Sequence, residues 1–176
     1  MGETPLLSSH VFDVVRLELS DPDGETFERD VVRHPGAVAV APVDEAGIVT
    51  LVRQYRAAVA GELLEIPAGT CDVTGEAPET TARRELAEEA GLEASELRRL
   101  AAVRNSPGYG DQLTTVFLAT GLRDCPTDRG KHEERWMSVE RVDLRDLPRL
   151  VADGTLVDET TVLALWMARH ALGIGA

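Results

Sequence analysis

The sequence predicts one α+β domain, or a layered α/β/α domain, from three observations. Several short segments alternate apolar and polar residues, which is typical of half-buried β-strands. Residues 78–90 are rich in strong helix formers, with Pro78 in the first turn and Gly91 as a C-terminal stop. Residues 158–172 place apolar side chains at helical spacing after an Asp/Thr cap region. Roughly two to three helices against about six to nine strands fit either class.

The strands follow the chain in a recognisable order. Residues 11–33 contain two alternating stretches around Asp-Pro-Asp-Gly, a strong turn signal, and predict a hairpin. A strand through LLEI ends at Pro67 and leads into a loop that runs to Gly75. The segment NSPGYGDQ, rich in Pro, Gly and Asn, predicts a loop of functional length. Further strands are predicted at 37–43, 48–52, 97–103, 114–119 and 135–139.

Composition limits the possible functions. The chain has 176 residues, 43% of them apolar, which is enough for one sizeable core. Its net charge of −13 argues against nucleic acid as a partner. No apolar run approaches the roughly 18 to 20 residues of a membrane helix, and the first residues do not resemble a leader. Cys71 and Cys125 are too few for a disulfide framework, so we expect a cytoplasmic protein.

Three acids lie together near the end of the first predicted helix. Glu85, Glu88 and Glu89 are spaced i, i+3 and i+4, so their carboxylates project from one face. The helix dipole disfavours acids in these last turns by a few tenths to about 1 kcal/mol each. Either this is a solvated charged face or the carboxylates serve a site. An apolar stripe beside them favours the site, and Mg²⁺ is the cation such oxygens prefer.

Residues 69–92, GTCDVTGEAPETTARRELAEEAGL, resemble the Nudix box, G-x5-E-x7-R-E-U-x-E-E-x-G-U, of the Nudix hydrolases. The one departure is six residues instead of five between Gly69 and Glu76. The resemblance implies the Nudix fold, an α/β/α sandwich of mixed β-sheet, with an N-terminal β-hairpin extension. It also implies that Arg84 orients the site by pairing with Glu76 or a ligand carboxylate. The metal ligands that it implies are Glu85, Glu88, Glu89 and the backbone carbonyl of Ala68.

Beyond the box, the chain resembles the ADP-ribose pyrophosphatase branch. The resemblance rests on HPGAVAVAPVDEAGIVTLVRQYR with ELLEIPAG, on Pro107 fifteen residues beyond Leu92, and on the acidic pair in KHEERW. Position 112 is Gln where the branch often has an acid. The branch implies Mg²⁺-dependent hydrolysis of ADP-ribose to AMP and ribose 5-phosphate, with Mn²⁺ as another usable metal. The base would be Glu133 or Glu134, with Glu133 slightly favoured, or a box glutamate such as Glu88. The alternative for the pair Glu133 and Glu134 is an exposed loop edge without a catalytic role.

Other residues are candidates for binding the substrate. Arg56 is the best local cation for a phosphate or ribose, although a surface salt bridge would also explain it. Pro107 shapes its loop, and Tyr109 either lines a nucleoside pocket or covers the edge of the core. We expect Phe27 and Trp136 to be core aromatics, with stacking on the nucleotide base as the alternative.

The resemblance also implies a homodimer. Residues 1–33 would be N-terminal strands that pack on the partner and complete its site, while residues 34–176 form the Nudix hydrolase domain. The alternatives are an enzyme for GDP-mannose or another nucleoside diphosphate derivative, and a non-catalytic module that senses nucleotides.

Overall fold

The computed structural model describes residues 2–127 and 136–175. These residues form ten strands in three sheets and three α-helices. The strands are β1 (Gly2–Ser8), β2 (Asp13–Ser20), β3 (Thr26–Arg33), β4 (Ala37–Pro42), β5 (Ile48–Arg56), β6 (Gly61–Glu65), β7 (Ala68–Thr70), β8 (Leu92–Arg104), β9 (Leu113–Asp124) and β10 (Ser138–Asp143). The helices are α1 (Pro78–Ala90), α2 (Leu147–Ala152) and α3 (Glu159–Ala171).

The central sheet has the order β7-β4-β9-β8, and β4 and β9 pair in parallel. Because side chains alternate along a strand, successive residues of β4 enter different cores. Val38 and Val40 pack with Leu86 of α1, whereas Ala39 and Ala41 join the core that contains Leu165 of α3. The two helices therefore cover opposite faces of the sheet. The predicted α/β/α sandwich with a mixed sheet is confirmed.

A second sheet, β10-β5-β6, is antiparallel throughout and packs beside the α3 core. Leu51, Leu64 and Ile66 are buried there. Gln54 and Glu65 are polar but also buried. Polar side chains within an otherwise apolar sheet mark the part of the fold where a site is to be sought.

Helix α1 begins and ends as predicted. Pro78 occupies the first turn, and Gly91 closes the helix with φ = 65°, a conformation that glycine adopts without steric cost. A β-carbon at Gly91 would also lie 2.8 Å from Cγ2 of Thr127. Ala82 and Leu86 are fully buried against the central sheet. The remaining face of α1 is left to carry the acids.

The first turn of α3 ties this helix to the second sheet. The carboxylate of Asp158 caps the helix by accepting a hydrogen bond of 2.7 Å from the Thr161 N–H. The Thr161 hydroxyl in turn accepts one of 3.1 Å from the buried Ile66 N–H. Since Ile66 follows β6 directly, this contact fixes the start of α3 beside the polar residues of β6.

The N-terminal residues form a separate three-stranded sheet, β1-β2-β3. The predicted hairpin is confirmed by the pairing of β2 with β3, but β1 was not predicted, because Gly2 and Pro5 are poor strand residues. Phe27 and Trp136 were expected in the core, and this was wrong: they are 37% and 81% exposed. Besides Phe27, the N-terminal segment exposes the large apolar side chains of Leu6, Leu7, Val11 and Phe12.

Other differences concern short elements. Strand β7 lies inside the predicted loop to Gly75, and α2 was not foreseen; both are too short to show a period. Strand β10 begins at Ser138, later than expected. Within residues 2–127 and 136–175, no helix has the length and hydrophobicity to span a bilayer.

We predict that Thr161→Val lowers the free energy of unfolding by about 1–3 kcal/mol, because it leaves the buried Ile66 N–H without an acceptor. Urea denaturation measures this change. The matched control is Thr80→Val, at the third position of α1, where the threonine is exposed. Equal losses in the two variants would show that the hydroxyl of Thr161 has no special role.

Candidate functional site

A cleft runs between α1, the second sheet and the start of α3. Two pockets of about 350 and 250 Å³ adjoin there, since both are lined by Arg56, Ala68 and Gly69. One end of the cleft is lined by Glu85 and Glu89. Clefts of this size typically hold small organic ligands. The far end is lined by Asn105, Gln112, Thr114, Asp158, Glu159 and Thr160.

The acids of α1 differ in exposure. Glu85 and Glu89 are 1% and 5% exposed, whereas the Glu88 side chain is 26% exposed and does not line the cleft. Glu89 accepts a hydrogen bond of 3.0 Å from the Ala68 N–H, which brings the backbone of that residue against the helix. The sequence predicts one acidic face, and the structure buries the two members nearest the core.

Gly69 is required by the position of Glu85. A β-carbon at residue 69 would lie 2.1 Å from the carboxylate carbon of Glu85, closer than real atoms approach. The backbone of β7 can therefore cross the buried carboxylate only where no side chain is present. The result is a cradle formed by helix acids on one side and by the Ala68–Thr70 backbone on the other.

Arg84 is surrounded by carboxylates. Its Nη1 donates to Glu85 at 2.6 Å and to Glu88 at 3.2 Å, and its Nη2 lies 3.7 Å from Glu76. Partial burial alone would lower the pKa of Arg84, but these acids raise it above its ordinary value. Nε of Arg84 is buried and has no hydrogen-bond partner within the described residues. Arg84 thus contacts both the box glutamate and the ligand carboxylates that the sequence predicts for it.

The chemistry of this cradle suits a hard divalent cation. Its carboxylates and backbone carbonyls are oxygen donors of the kind that Mg²⁺ and Mn²⁺ bind. Because Gly69 has no side chain, the backbone of β7 lies directly against the carboxylate of Glu85. Across residues 2–127 and 136–175, however, no three acidic, His or Cys side chains are grouped as a finished metal site. Instead, Nη1 of Arg84 lies between Glu85 and Glu88.

Arg56 reaches the cleft from the end of β5. Its Nε donates to Glu65 at 3.0 Å and its Nη2 donates at 2.5 Å, a bidentate pair with a carboxylate whose side chain is 6% exposed. Gln54 donates to the same carboxylate at 3.1 Å. The hydrogen bond and charge of Glu65 raise the pKa of Arg56 further above its ordinary value. Arg56 is therefore a cation in the cleft that pairs with a buried carboxylate, while its own side chain is partly exposed.

The far wall of the cleft is a hydrogen-bonded network. Asn105 donates to Glu159 at 2.9 Å and to Thr160 at 3.1 Å, and it accepts from Thr114 at 2.5 Å. Gln112 donates to Thr114 at 3.2 Å. These contacts join the loop after β8 to the first turn of α3.

The loop from residue 105 to 112 is fastened to the N-terminal sheet. The carboxylate of Asp111 accepts a hydrogen bond of 3.0 Å from Arg33 and one of 2.9 Å from the His34 N–H. Burial alone would raise the pKa of Asp111, but these partners hold it below its ordinary value. Pro107 and Tyr109 are exposed and do not line the cleft of a single chain. Substrate contact by either residue stays a prediction.

Residues 32–157 match the sequence profile of the NUDIX domain. The chain belongs to the Nudix family. An ADP-ribose pyrophosphatase from Mycobacterium tuberculosis is 38% identical over 165 residues, which cover 94% of this chain and 79% of that protein. An ADP-ribose pyrophosphatase from Bacillus subtilis is 37% identical over 165 residues, covering 94% and 89%. The superposition on a solved structure described as an ADP compounds hydrolase covers 99% of this Nudix chain and 94% of the other chain, with a TM-score of 0.85 and 23% identity. This likeness supports the fold.

The predicted Nudix site residues do not all come together in the described residues. Arg56, Ala68, Glu85 and Glu89 line one cleft. Arg84 and Glu88 do not line it, although Arg84 contacts both Glu85 and Glu88. Glu133 and Glu134 lie outside the described residues, so the identity of the base stays a prediction. Sequence reasoning missed three polar residues that line the cleft: Glu65, Asn105 and Glu159. For Glu65, the single acid within the apolar segment LLEI was a usable signal.

We predict that Gly69→Ala destabilises the Nudix domain by about 1–3 kcal/mol, because the new methyl group overlaps the buried carboxylate of Glu85. Thermal and urea unfolding measure the change. Gly108→Ala is the control, since no atom outside its neighbours lies within 4 Å of a β-carbon there, and it should stay within about 0.5 kcal/mol. A Gly69→Ala variant as stable as the parent would contradict the cradle.

Proposed function

We propose that this protein is a metal-dependent Nudix pyrophosphohydrolase that cleaves nucleoside diphosphate sugars, with ADP-ribose as the preferred substrate. The products from ADP-ribose are AMP and ribose 5-phosphate. The observation that carries the proposal is one cleft with the buried carboxylates Glu85 and Glu89 beside the cation Arg56. Two relatives of 37–38% identity that are named ADP-ribose pyrophosphatases support the choice of substrate.

The roles of the residues follow from charge. Glu85, Glu88, Glu89 and the backbone carbonyl of Ala68 hold Mg²⁺, with Mn²⁺ as an alternative. When bound, the metal neutralises charge on the pyrophosphate oxygens and lowers the pKa of a water molecule. Arg56 binds a phosphate oxygen, because its guanidinium stays charged at every relevant pH.

The proton acceptor and the nucleoside contacts are further parts of the proposal. Glu133 accepts the proton of the attacking water, with Glu134 or the box residue Glu88 as alternatives. Pro107 and Tyr109 contact the nucleoside. Arg84 orients the box carboxylates, a role supported by its contacts with Glu85 and Glu88.

Two alternatives belong to different classes. The first is another substrate of the same chemistry, such as GDP-mannose or a different nucleoside diphosphate derivative. The second is a module that senses nucleotides without turnover. The sensor is the weaker alternative, because this chain keeps Glu85, Glu88 and Glu89 together on α1.

The deciding experiment is product analysis by chromatography. The pure protein is incubated with ADP-ribose, GDP-mannose and diadenosine polyphosphates, each with Mg²⁺ and with chelator. AMP released from ADP-ribose only with Mg²⁺ supports the proposal. Turnover of another compound moves the substrate but keeps the mechanism. Tight binding without turnover favours the sensor.

We predict that Glu88→Gln and Glu89→Gln each reduce turnover by about 100-fold or more while the fold survives, because each variant removes a charge and not a packing group. Steady-state kinetics and circular dichroism measure the two quantities. Glu79→Gln, an exposed position on the same helix, is the matched control. Loss of folding in Glu88→Gln or Glu89→Gln, with normal specific activity of the folded remainder, would refute the assignment.

Glu133→Gln and Glu134→Gln, compared in the same assay, identify the base.

We also propose a cytoplasmic homodimer in which residues 1–33 pack on the partner and complete its site. The N-terminal segment exposes the apolar side chains of Leu6, Leu7 and Phe12, a surface of the kind that binds a partner. In the described residues, its strands share no substantial interface with the helices or with the other two sheets. Val11 lies close enough to line the cleft, so this segment is able to contribute to a site.

The free thiols of Cys71 and Cys125 fit the cytoplasm, and the net charge opposes binding of nucleic acid.

We predict elution at about 38 kDa in gel filtration, twice the 19.0 kDa of one chain. Deletion of residues 1–33 should give a monomer without activity. A second variant, Leu6→Ser with Leu7→Ser, keeps the whole chain but removes exposed apolar surface, and it should weaken the dimer. A monomer with full activity would reject the exchanged arrangement.

A further inference from the structure

A buried acid on β6 takes no part in the predicted metal site. Glu65 is 5% exposed and lies at the wall of the cleft. We propose that Glu65 is a positioning residue that holds Arg56 in the orientation that binds the substrate phosphate. This inference rests on the proposed function, because it assigns a role to Glu65 in binding the same substrate.

The strand register explains why these side chains meet. Strands β5 and β6 are antiparallel, and Glu65 pairs directly with Val52. Because side chains alternate along a strand, Gln54 and Arg56 share the face of Glu65. The register therefore makes Gln54 a diagonal neighbour of Glu65, while Arg56, which pairs with Gly61, reaches back along the same face with its long side chain.

The hydrogen bonds leave one side of the guanidinium available. Glu65 engages Nε and Nη2 of Arg56, and Gln54 holds one of the two carboxylate oxygens. Among the described residues, the hydrogen bonds that Arg56 donates use Nε and Nη2 and not Nη1. A phosphate at the cleft can accept from Nη1 without breaking the pair with Glu65. A guanidinium fixed in this way loses little conformational freedom when it binds.

Competition from other acids explains why a dedicated partner is needed. The charges of Glu89 and Asp158 also act on Arg56, more weakly than Glu65. Glu89 is one of the proposed metal ligands. Without Glu65, the guanidinium would be free to turn toward Glu89 or Asp158 and away from the phosphate. The bidentate pair holds Arg56 on the β6 side of the cleft and keeps it off the metal ligand.

Burial of Glu65 strengthens its attraction to Arg56 and also removes the carboxylate from water. A carboxylate that leaves water loses solvation, and only well-placed donors compensate for the loss. Glu65 has three such donors from two side chains. Replacement by Gln removes the charge and places an amide N–H against the N–H groups of Arg56. We therefore expect Arg56 to leave its position in the Glu65→Gln variant.

The test compares Glu65→Gln with Glu62→Gln, an exposed acid on the same strand that undergoes the same charge change. With ADP-ribose and Mg²⁺, Glu65→Gln should raise KM about tenfold or more and change kcat by less than about threefold, because Arg56 binds ground state and transition state alike. Glu62→Gln should change neither. Equal behaviour of the two variants, or a loss confined to kcat, overturns the inference.

A second set of variants tests whether Glu65 acts through Arg56. In an Arg56→Met background, adding Glu65→Gln should not raise KM further, whereas independent roles would give additive effects. This double variant also replaces the whole ion pair, which proteins tolerate better than the loss of one partner. It therefore remains measurable if Glu65→Gln alone does not fold, and Glu65→Asp, which keeps the charge, should then restore folding with an intermediate KM.

The two proposals fail in different ways. If the parent protein hydrolyses none of the nucleotide sugars, the proposed function fails. If the parent hydrolyses ADP-ribose and Glu65→Gln has the parent's KM, only the role of Glu65 is wrong. The Nε–H resonance of Arg56 in NMR spectra gives a readout that needs no turnover: it should exchange slowly with water in the parent protein and rapidly in Glu65→Gln. Rapid exchange in the parent would overturn the inference.

Discussion

The candidate site depends on carboxylates buried at the edge of a hydrophobic core. Glu85 and Glu89 lie on the same helix as the fully buried Leu86, and all three face inward. Burial of an acid is costly unless polar groups surround it. Here the surrounding groups are the Ala68 N–H and the guanidinium of Arg84. Strand β7 must therefore pass close to the helix, which is possible because Gly69 has no side chain.

Two arginines supply positive charge beside the carboxylates of the candidate site in this strongly acidic chain. Arg84 and Arg56 both lie beside buried acids, Glu85 and Glu65, which keep the cations fixed and charged. A net charge of −13 repels anions at long range, but salt screens that repulsion beyond about 8–10 Å. Within the cleft, the local arrangement of charges decides what binds.

Local sequence rules predicted the helical part of the site well. Pro78 and Gly91 bound α1 as expected, and the i, i+3, i+4 spacing placed Glu85, Glu88 and Glu89 on one side. The rules could not rank these acids by burial, because the ranking depends on the path of β7, a strand of three residues. The same limit explains why the need for Gly69 emerged only from the contact with Glu85.

The rest of the site rests on long-range pairings that no local pattern encodes. Glu65 meets Arg56 through the register of β5 and β6, and Asn105 meets Glu159 across 54 positions of sequence. Exposure was misjudged for Phe27, because its β-strand belongs to a sheet that the rest of one chain does not cover. Propensity predicts a strand there, but only the tertiary arrangement decides which face has a partner.

The N-terminal sheet is connected to the cleft by more than the chain itself. Backbone hydrogen bonds join Val32 to Tyr109 and Asp111, and the carboxylate of Asp111 accepts from Arg33 and from the His34 N–H. The same loop begins at Asn105, which holds the first turn of α3. Strand β3 and the far wall of the cleft are therefore both bound to the same loop. Removal of residues 1–33 would take away both Val11 at the cleft and the Arg33 contact with this loop, so the N-terminal segment supports the cleft of its own chain.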